Sequence, residues 1–230
     1  MLGRQPAGLS DHHLDHKSHS ATPIGNPCQQ PLPSPMLAWR QALTKSLDAN
    51  SKVPFSKFFQ LATIRHDGRP TNRTMVFRGF YKDTDRLTFT TDIRSKKYDD
   101  LRTHSKAAEI CWYFTESREQ FRLNGDLTVI DKDEEDPELV QARKQAWSEM
   151  STSGRSWFTW PKPGLPRGPD EQFQIEPPGP EEPPLPSFCL VIMDVMEVDH
   201  LELRSSIRHS YSSQLDSDGE RLWHEEDVNP

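Results

Sequence analysis

Apolar and polar positions along this chain follow two different periods, and the change from one to the other marks out its elements. From Pro35 or Met36 to about Asn50, Trp39, Leu43 and Leu47 recur every four residues, which predicts a helix lying with one face on the body of the protein. At Phe58–Ile64 the pattern shortens to that of a strand. Asp67-Gly68 is a strong hairpin signal, turning the chain into a second strand over Pro70–Phe80. Further strands are expected at Arg86–Thr91, Glu109–Phe114 and Gln120–Ile130, with Ser95 placed to cap a short helix carrying Lys96, Lys97 and Leu101. Asp136-Pro137 is a helix start, since proline is tolerated at the first helical position. That helix should reach Met150 and bury Leu139, Ala146, Trp147 and Met150. The apolar run FCLVIMDVMEVDHLEL reads as two successive strands, and a last short one is expected near Arg221–His224. Five to seven strands with few helices and no strand-helix-strand alternation predict a small antiparallel barrel with helices packed outside.

Two stretches do not fit any packed element. Residues 1–35 are rich in Pro, Ser, Gln and His without apolar periodicity and are expected to form a disordered tail ahead of a domain over 36–230. Its His12, His13, His16 and His19 lack the supporting partners that make a good metal site. Trp160–Pro186 holds 10 of the chain's 20 prolines, a density that excludes regular helix or central strand and predicts an extended loop or insertion.

Composition narrows the class. Of 230 residues 33% are hydrophobic, and a net charge of −7 argues against nonspecific binding to nucleic acid or an anionic membrane. No run of about 18 apolar residues is present, and Cys28, Cys111 and Cys189 show no paired spacing. These features suggest reduced thiols in a cytoplasmic protein, an organellar address being the less favoured alternative.

Against that acidic background, Arg65–Lys106 carries 11 Lys and Arg but only 6 Asp and Glu. Within it Arg73 and Arg78, then Thr90, Thr91, Ser95, Lys96 and Lys97, supply the forked and pointed donors that grip a phosphate. Arg73 and Arg78 lie five apart and so should face opposite sides of a regular strand. A solvated basic hairpin would account for the charge equally well. An oligonucleotide-binding barrel ranks lower, because Phe77, Phe80, Tyr81 and Phe89 are better placed to fill a core. The chain has no Walker loop, GxGxxG, HExxH or GxSxG.

The run FQLATIRHDGRPTNRTMVFRGF, followed by TFTTDIRSKK and WYFTESREQFRLNG, resembles the pyridoxamine 5'-phosphate oxidase family, in the branch with a plant, fungal and cyanobacterial type of flavin mononucleotide (FMN) domain. The resemblance implies a mainly β (α+β) fold, an antiparallel FMN-binding split barrel with flanking helices. It implies that Arg73 and Lys97, with Lys96, Thr90 and Thr91 beside them, hold the FMN phosphate. Thr74, Met75 and Val76 would present backbone to the flavin ring, Gln120 would touch it from a neighbouring strand, and Arg78 stands where relatives have a lysine that meets flavin and substrate.

In that family pyridoxamine or pyridoxine 5'-phosphate gives a hydride from C4' to flavin N5, and oxygen takes the electrons to give hydrogen peroxide and pyridoxal 5'-phosphate. No side-chain nucleophile or metal is required, and a homodimer is implied. The C-terminal stretch VDHLELRSSIRHSY departs from the family's substrate motif, with Leu201 at the tryptophan position and Arg204, Arg208 and His209 loosely aligned. The family's substrate-phosphate motif of Tyr, Arg and Ser on the middle helix is also not clear in QAWSEMSTSGRSW, where Arg155 and Ser151 are the candidate substitutes. Alternatives therefore stay open: a flavin enzyme for another small molecule, or a noncatalytic FMN- or pyridoxal-phosphate-binding module.

Overall fold

The computed structural model describes residues 36–103 and 105–230. The tail with its histidines and Cys28 lies outside the described residues. Helix α1 spans Ala38–Ala49 and buries Trp39 and Leu43 in the main core, with Leu47 packed against it, as its four-residue spacing predicts. Nine antiparallel strands follow: β1 Phe58–Ile64, β2 Pro70–Val76, β3 Gly79–Phe80, β4 Leu87–Asp92, β5 Ala107–Phe114, β6 Glu119–Ile130, β7 Phe188–Glu202, β8 Ile207–Leu215 and β9 Arg221–Val228. Helix α2 covers Lys96–Thr103, α3 Pro137–Ser148 and α4 Thr152–Ser156.

The main path through the sheet runs β2-β1-β5-β6-β7-β4-β3. Its two end strands, β2 and β3, are consecutive in the chain and separated only by Phe77 and Arg78. A sheet whose ends are joined by two residues must curl on itself, and this produces the barrel. The expected single strand over Pro70–Phe80 is thus two strands with different partners. β2 pairs with β1, whereas Arg78 N already donates to Thr88 O of β4, and Gly79 adopts φ +130°, which favours glycine.

The run expected to form two strands is instead the single 15-residue β7. Its first half pairs with β4 and its second with β8, while β6 accompanies it throughout. The apparent break is a bulge: Asn124 pairs with Glu197 but Gly125 with Val195, leaving Met196 as the extra residue. A Cβ on Gly125 would stand 2.1 Å from Asp194 O, so only glycine permits this approach.

The core is aromatic, with Phe59, Phe77, Phe89, Trp112, Phe114 and Phe121 packed in edge and tilted pairs. Phe77, Tyr81 and Phe89 are buried, as filling a core requires. Asp136 caps α3, its carboxylate accepting from the Glu138 and Leu139 amides. The α3 face then carries Leu139, Ala142 and Ala146 against Ile130 and Leu190, while Trp147 and Met150 join Phe158 and Phe188 in a separate cluster. Between 160 and 186 the one regular element among the described residues is a 3-10 turn at Asp170–Phe173.

Candidate functional site

At one corner of the barrel, Lys97 of α2 is brought close enough to Arg73 of β2 to feel its charge. Arg73 donates from Nη1 to Leu61 O at 3.1 Å and to Thr63 Oγ1 at 2.8 Å. Lys97 Nζ donates to Thr91 Oγ1 at 2.7 Å and to Ser95 Oγ at 3.1 Å. Burial lowers both pKa values, and for Lys97 the second cause is repulsion by Arg73. Among the described residues neither forms an ion pair with a carboxylate. The Asp92 carboxylate, the acid beside Lys97, is clamped by Arg94, whose Nη2 lies 2.6 Å from Oδ2. Asp100 gives Arg73 partial compensation only. Two half-buried cations held by neutral oxygens form a corner that a dianionic phosphate would neutralise.

Arg94 was not singled out by its sequence, although Asp92-x-Arg94 at a strand end was a readable signal. It also donates to Phe158 O at 3.2 Å and Trp160 O at 2.9 Å, fastening the aromatic loop after α4 to the base of this corner. Ser95 sends its hydroxyl proton back to Asp92 O and accepts from Lys97. Lys96 is exposed, and Thr90, alternating with the buried Thr91, faces the other side of β4.

The other predicted flavin contacts divide between the faces of the sheet. Met75 is buried in the core beside the Arg73 side of β2, while Thr74 is exposed on the outer face, bonded to Gln60 at 3.1 Å. Val76 is half-buried at the end of β2. Gln120 also faces outward, in a cross-strand row Tyr113–Gln120–Leu201–Arg208, and its amide oxygen accepts a long contact from Cys111 Sγ at 3.9 Å. Burial pushes Cys111 up and drives Cys189, whose thiol points at Thr91 O, up to about 12.

The residues assigned to substrate are held by the protein itself. Arg155 is buried and donates to Met150 O, to Pro178 O at 3.1 Å and to Thr152 Oγ1 at 3.4 Å, tying the proline-rich segment to α3 and α4. Ser151 caps α4 through Gly154 N. Arg208 forms a two-pronged pair with Asp199, 2.5 Å at its shortest. His209 Nδ1 lies 2.7 Å from Asp227 and its ring sits 5.9 Å from that of His200. His200 in turn stacks on Phe121 and pairs with Glu119 at 2.7 Å. Burial lowers its pKa in spite of that carboxylate. The ligand atoms of Glu119, His200 and Glu202 lie within 4.8 Å of one another, but the Glu119–His200 contact is already a hydrogen bond that also engages Ser46.

Arg78 stands apart from the phosphate corner. It opens into a cleft of about 740 Å³ between the β3–β4 region and α3. Its guanidinium is partly desolvated, which lowers its pKa, and no carboxylate offsets this.

Comparison with known proteins identifies the family. Residues 36–131 match the model of the pyridoxamine 5'-phosphate oxidase, FMN-binding domain. A pyridoxine/pyridoxamine 5'-phosphate oxidase 2 of Arabidopsis thaliana is 40% identical over 192 residues, 84% of this chain and 96% of that protein. A Xanthomonas euvesicatoria pyridoxine/pyridoxamine 5'-phosphate oxidase is 34% identical over 113 residues, where the chain spans 56% of its length. Among solved structures, a pyridoxamine 5'-phosphate oxidase-related, FMN binding protein from Nostoc punctiforme superposes with TM-score 0.78 at 43% identity, over 85% of this chain and 100% of that one. PhzG of Burkholderia lata shares the fold at TM-score 0.62 and 16% identity, over 83% of this chain and 90% of that one. Among the described residues no helix is long and apolar enough to cross a membrane. An antiparallel split barrel with a paired-cation corner, matched along nearly all of a plant relative, places this chain in the pyridoxamine 5'-phosphate oxidase family, whose cofactor is FMN.

Proposed function

We propose that the protein is an FMN-dependent oxidase of a vitamin B6 5'-phosphate, pyridoxamine or pyridoxine 5'-phosphate, working as a homodimer. The observation that carries this reading is the Arg73–Lys97 corner, where two half-buried cations, neither in an ion pair among the described residues, suit a phosphate. Arg73 and Lys97 would bind the FMN phosphate, with Thr91 and Ser95 fixing the lysine head by their hydroxyls. The β2 backbone from Thr74 to Val76 would carry the ring toward Arg78, which faces the bound substrate. Bound FMN supplies a two-electron acceptor that oxygen can regenerate, so the side chains bind and orient rather than attack.

A homodimer is supported by the faces of the sheet. Arg73 points to the inner side and Gln120 to the outer, so a flavin held by one copy is better placed to meet Gln120 of another. Phe55, Phe58 and Tyr113 are exposed on or beside that outer face, 73%, 37% and 47% accessible, and suit a surface covered by a second copy.

A second reading, oxidation or reduction of a different small molecule at the same flavin, draws on the engagement of Arg155 and Arg208 within the protein. The deciding experiment purifies the protein, records its flavin absorption, and measures peroxide under air with each B6 phosphate. Yellow protein with peroxide production supports the oxidase. Bound flavin without peroxide from either vitamer removes the B6 reading.

A further inference from the structure

Arg73 and Lys97 each feel one carboxylate at the phosphate corner. Asp100 acts on Arg73 and Asp92 on Lys97, and each favours the charged form of the cation it faces. On that count two positive charges stand against two negative ones, and the positive excess that a phosphate needs is absent. Arg94 changes the count.

Arg94 lies two residues after Asp92, and the turn that ends β4 folds its side chain back onto that carboxylate. Its amide donates to Asp92 Oδ1 at 2.7 Å, its Nε to Oδ1 and Oδ2 at 3.0 and 3.1 Å, and its Nη2 to Oδ2 at 2.6 Å. The loop after α4 takes the other donors, Nη1 bonding Trp160 O at 2.9 Å and Nη2 also bonding Phe158 O at 3.2 Å. Ser187 braces the same place, its hydroxyl donating to Phe158 O at 3.0 Å and its carbonyl accepting from Ile93 N at 2.9 Å. With all three guanidinium nitrogens engaged, the planar fork cannot leave Asp92 without breaking several bonds at once. The Asp92 side chain is 13% exposed and that of Arg94 29%, so water screens their pairing only in part.

We propose that Arg94 is a positioning residue for FMN: it neutralises Asp92 and so leaves Lys97 free for the phosphate, while the carbonyls of Phe158 and Trp160 hold the guanidinium in place. The inference rests on the reading of the Arg73–Lys97 corner as the flavin site. While Arg94 covers Asp92, two cations face Asp100 alone and the corner stays positive. Without Arg94, the Asp92 carboxylate draws on Lys97 and repels the incoming phosphate. Arg94 thus acts through Asp92, which separates it from a direct phosphate ligand.

The test dilutes FMN-loaded protein and reads the FMN dissociation constant from flavin fluorescence. Arg94→Met should weaken binding by at least about tenfold, the scale of one spoiled charge-assisted contact. Asp92→Asn should hold FMN at least as tightly as the unaltered protein, since asparagine still accepts from the Arg94 amide. Adding Asp92→Asn to Arg94→Met should bring the affinity back to within about threefold of the unaltered protein, a coupling expected of two groups in direct contact. Arg94→Lys keeps a cation for Asp92 but cannot span the two carbonyls, and it too should stay within about threefold. Melting temperature checks that each variant is folded, and should Arg94→Met not fold, Arg94→Lys decides alone.

Unchanged affinity in Arg94→Met, a loss that Asp92→Asn does not recover, or an equal loss in Arg94→Lys would overturn the proposal. The guanidinium would then bind the phosphate itself or serve only the loop. Lys97→Met is measured alongside, and unchanged FMN affinity in that variant would remove the corner as the flavin site whatever the Arg94 variants do.

Discussion

Arg73 lies close enough to Lys97 to raise the cost of charging it, and the groups that hold the two cations are neutral oxygens from Thr91, Ser95, Thr63 and the Leu61 carbonyl. Such an arrangement is unfavourable when empty and favourable around a dianion. Arg73→Ala or Lys97→Met should therefore weaken FMN binding by at least about tenfold, the loss of one charge-assisted contact worth about 1.5–3 kcal/mol. Flavin fluorescence on dilution measures it. Retention of flavin at parental affinity by Arg73→Ala would refute the phosphate assignment.

The same pair sets a pH dependence. Burial and Arg73 lower the Lys97 pKa in the flavin-free protein, and a bound phosphate raises it again. Binding thus takes up a proton at pH values between the lowered free value and the raised bound one. FMN affinity should fall as pH rises from the lowered value toward the ordinary lysine range, and Lys97→Met should flatten the slope. A pH series of flavin dissociation constants checks the sign.

Burial of His200 lowers its pKa although Glu119 opposes the shift. The unfolded chain binds this proton more readily than the folded one, so stability should drop as pH falls through the ordinary histidine range. His200→Phe, which keeps a ring against Phe121, should remove that part of the pH dependence. Thermal melts between about pH 8 and 5 would show it.

Gly125 faces Asp194 O so closely that any side chain must push β6 from β7. Gly125→Ala should cost about 1–3 kcal/mol or more, by the usual penalty of forced overpacking. Because β7 pairs with β6 along one edge and with β4 and β8 along the other, the loss should appear as a lower melting temperature rather than as a selective loss of FMN.

If the outer face around Phe58 and Tyr113 meets a second copy, Phe58→Asp with Tyr113→Asp should shift the protein to monomer in sedimentation. It should also reduce flavin retention, because Gln120 would no longer reach a neighbouring ring. A protein that is monomeric before substitution would end the homodimer proposal.

Much of this protein was decided locally. The four-residue recurrence of Trp39, Leu43 and Leu47, the Asp67-Gly68 turn and the Asp136 cap specify their elements through contacts a few residues apart, and each is present. The members of the Arg73–Lys97 corner were legible as candidates for the same reason, since Arg73, Thr91 and Lys97 sit in short continuous runs with a recognisable order.

Contacts distant in sequence were not legible. Whether FCLVIMDVMEVDHLEL forms one strand or two depended on a bulge at Met196 and on Gly125 across the sheet. Arg155 looked available for a ligand until folding placed Pro178 and Met150 against it, and Arg208 until β7 brought Asp199 alongside. Nothing in the spacing of Glu149 and Arg78 shows that they line one cleft. Periodicity reports which side of its own element a residue occupies. Its partner across space, and hence its charge state and its freedom to bind a ligand, is decided only when the barrel closes.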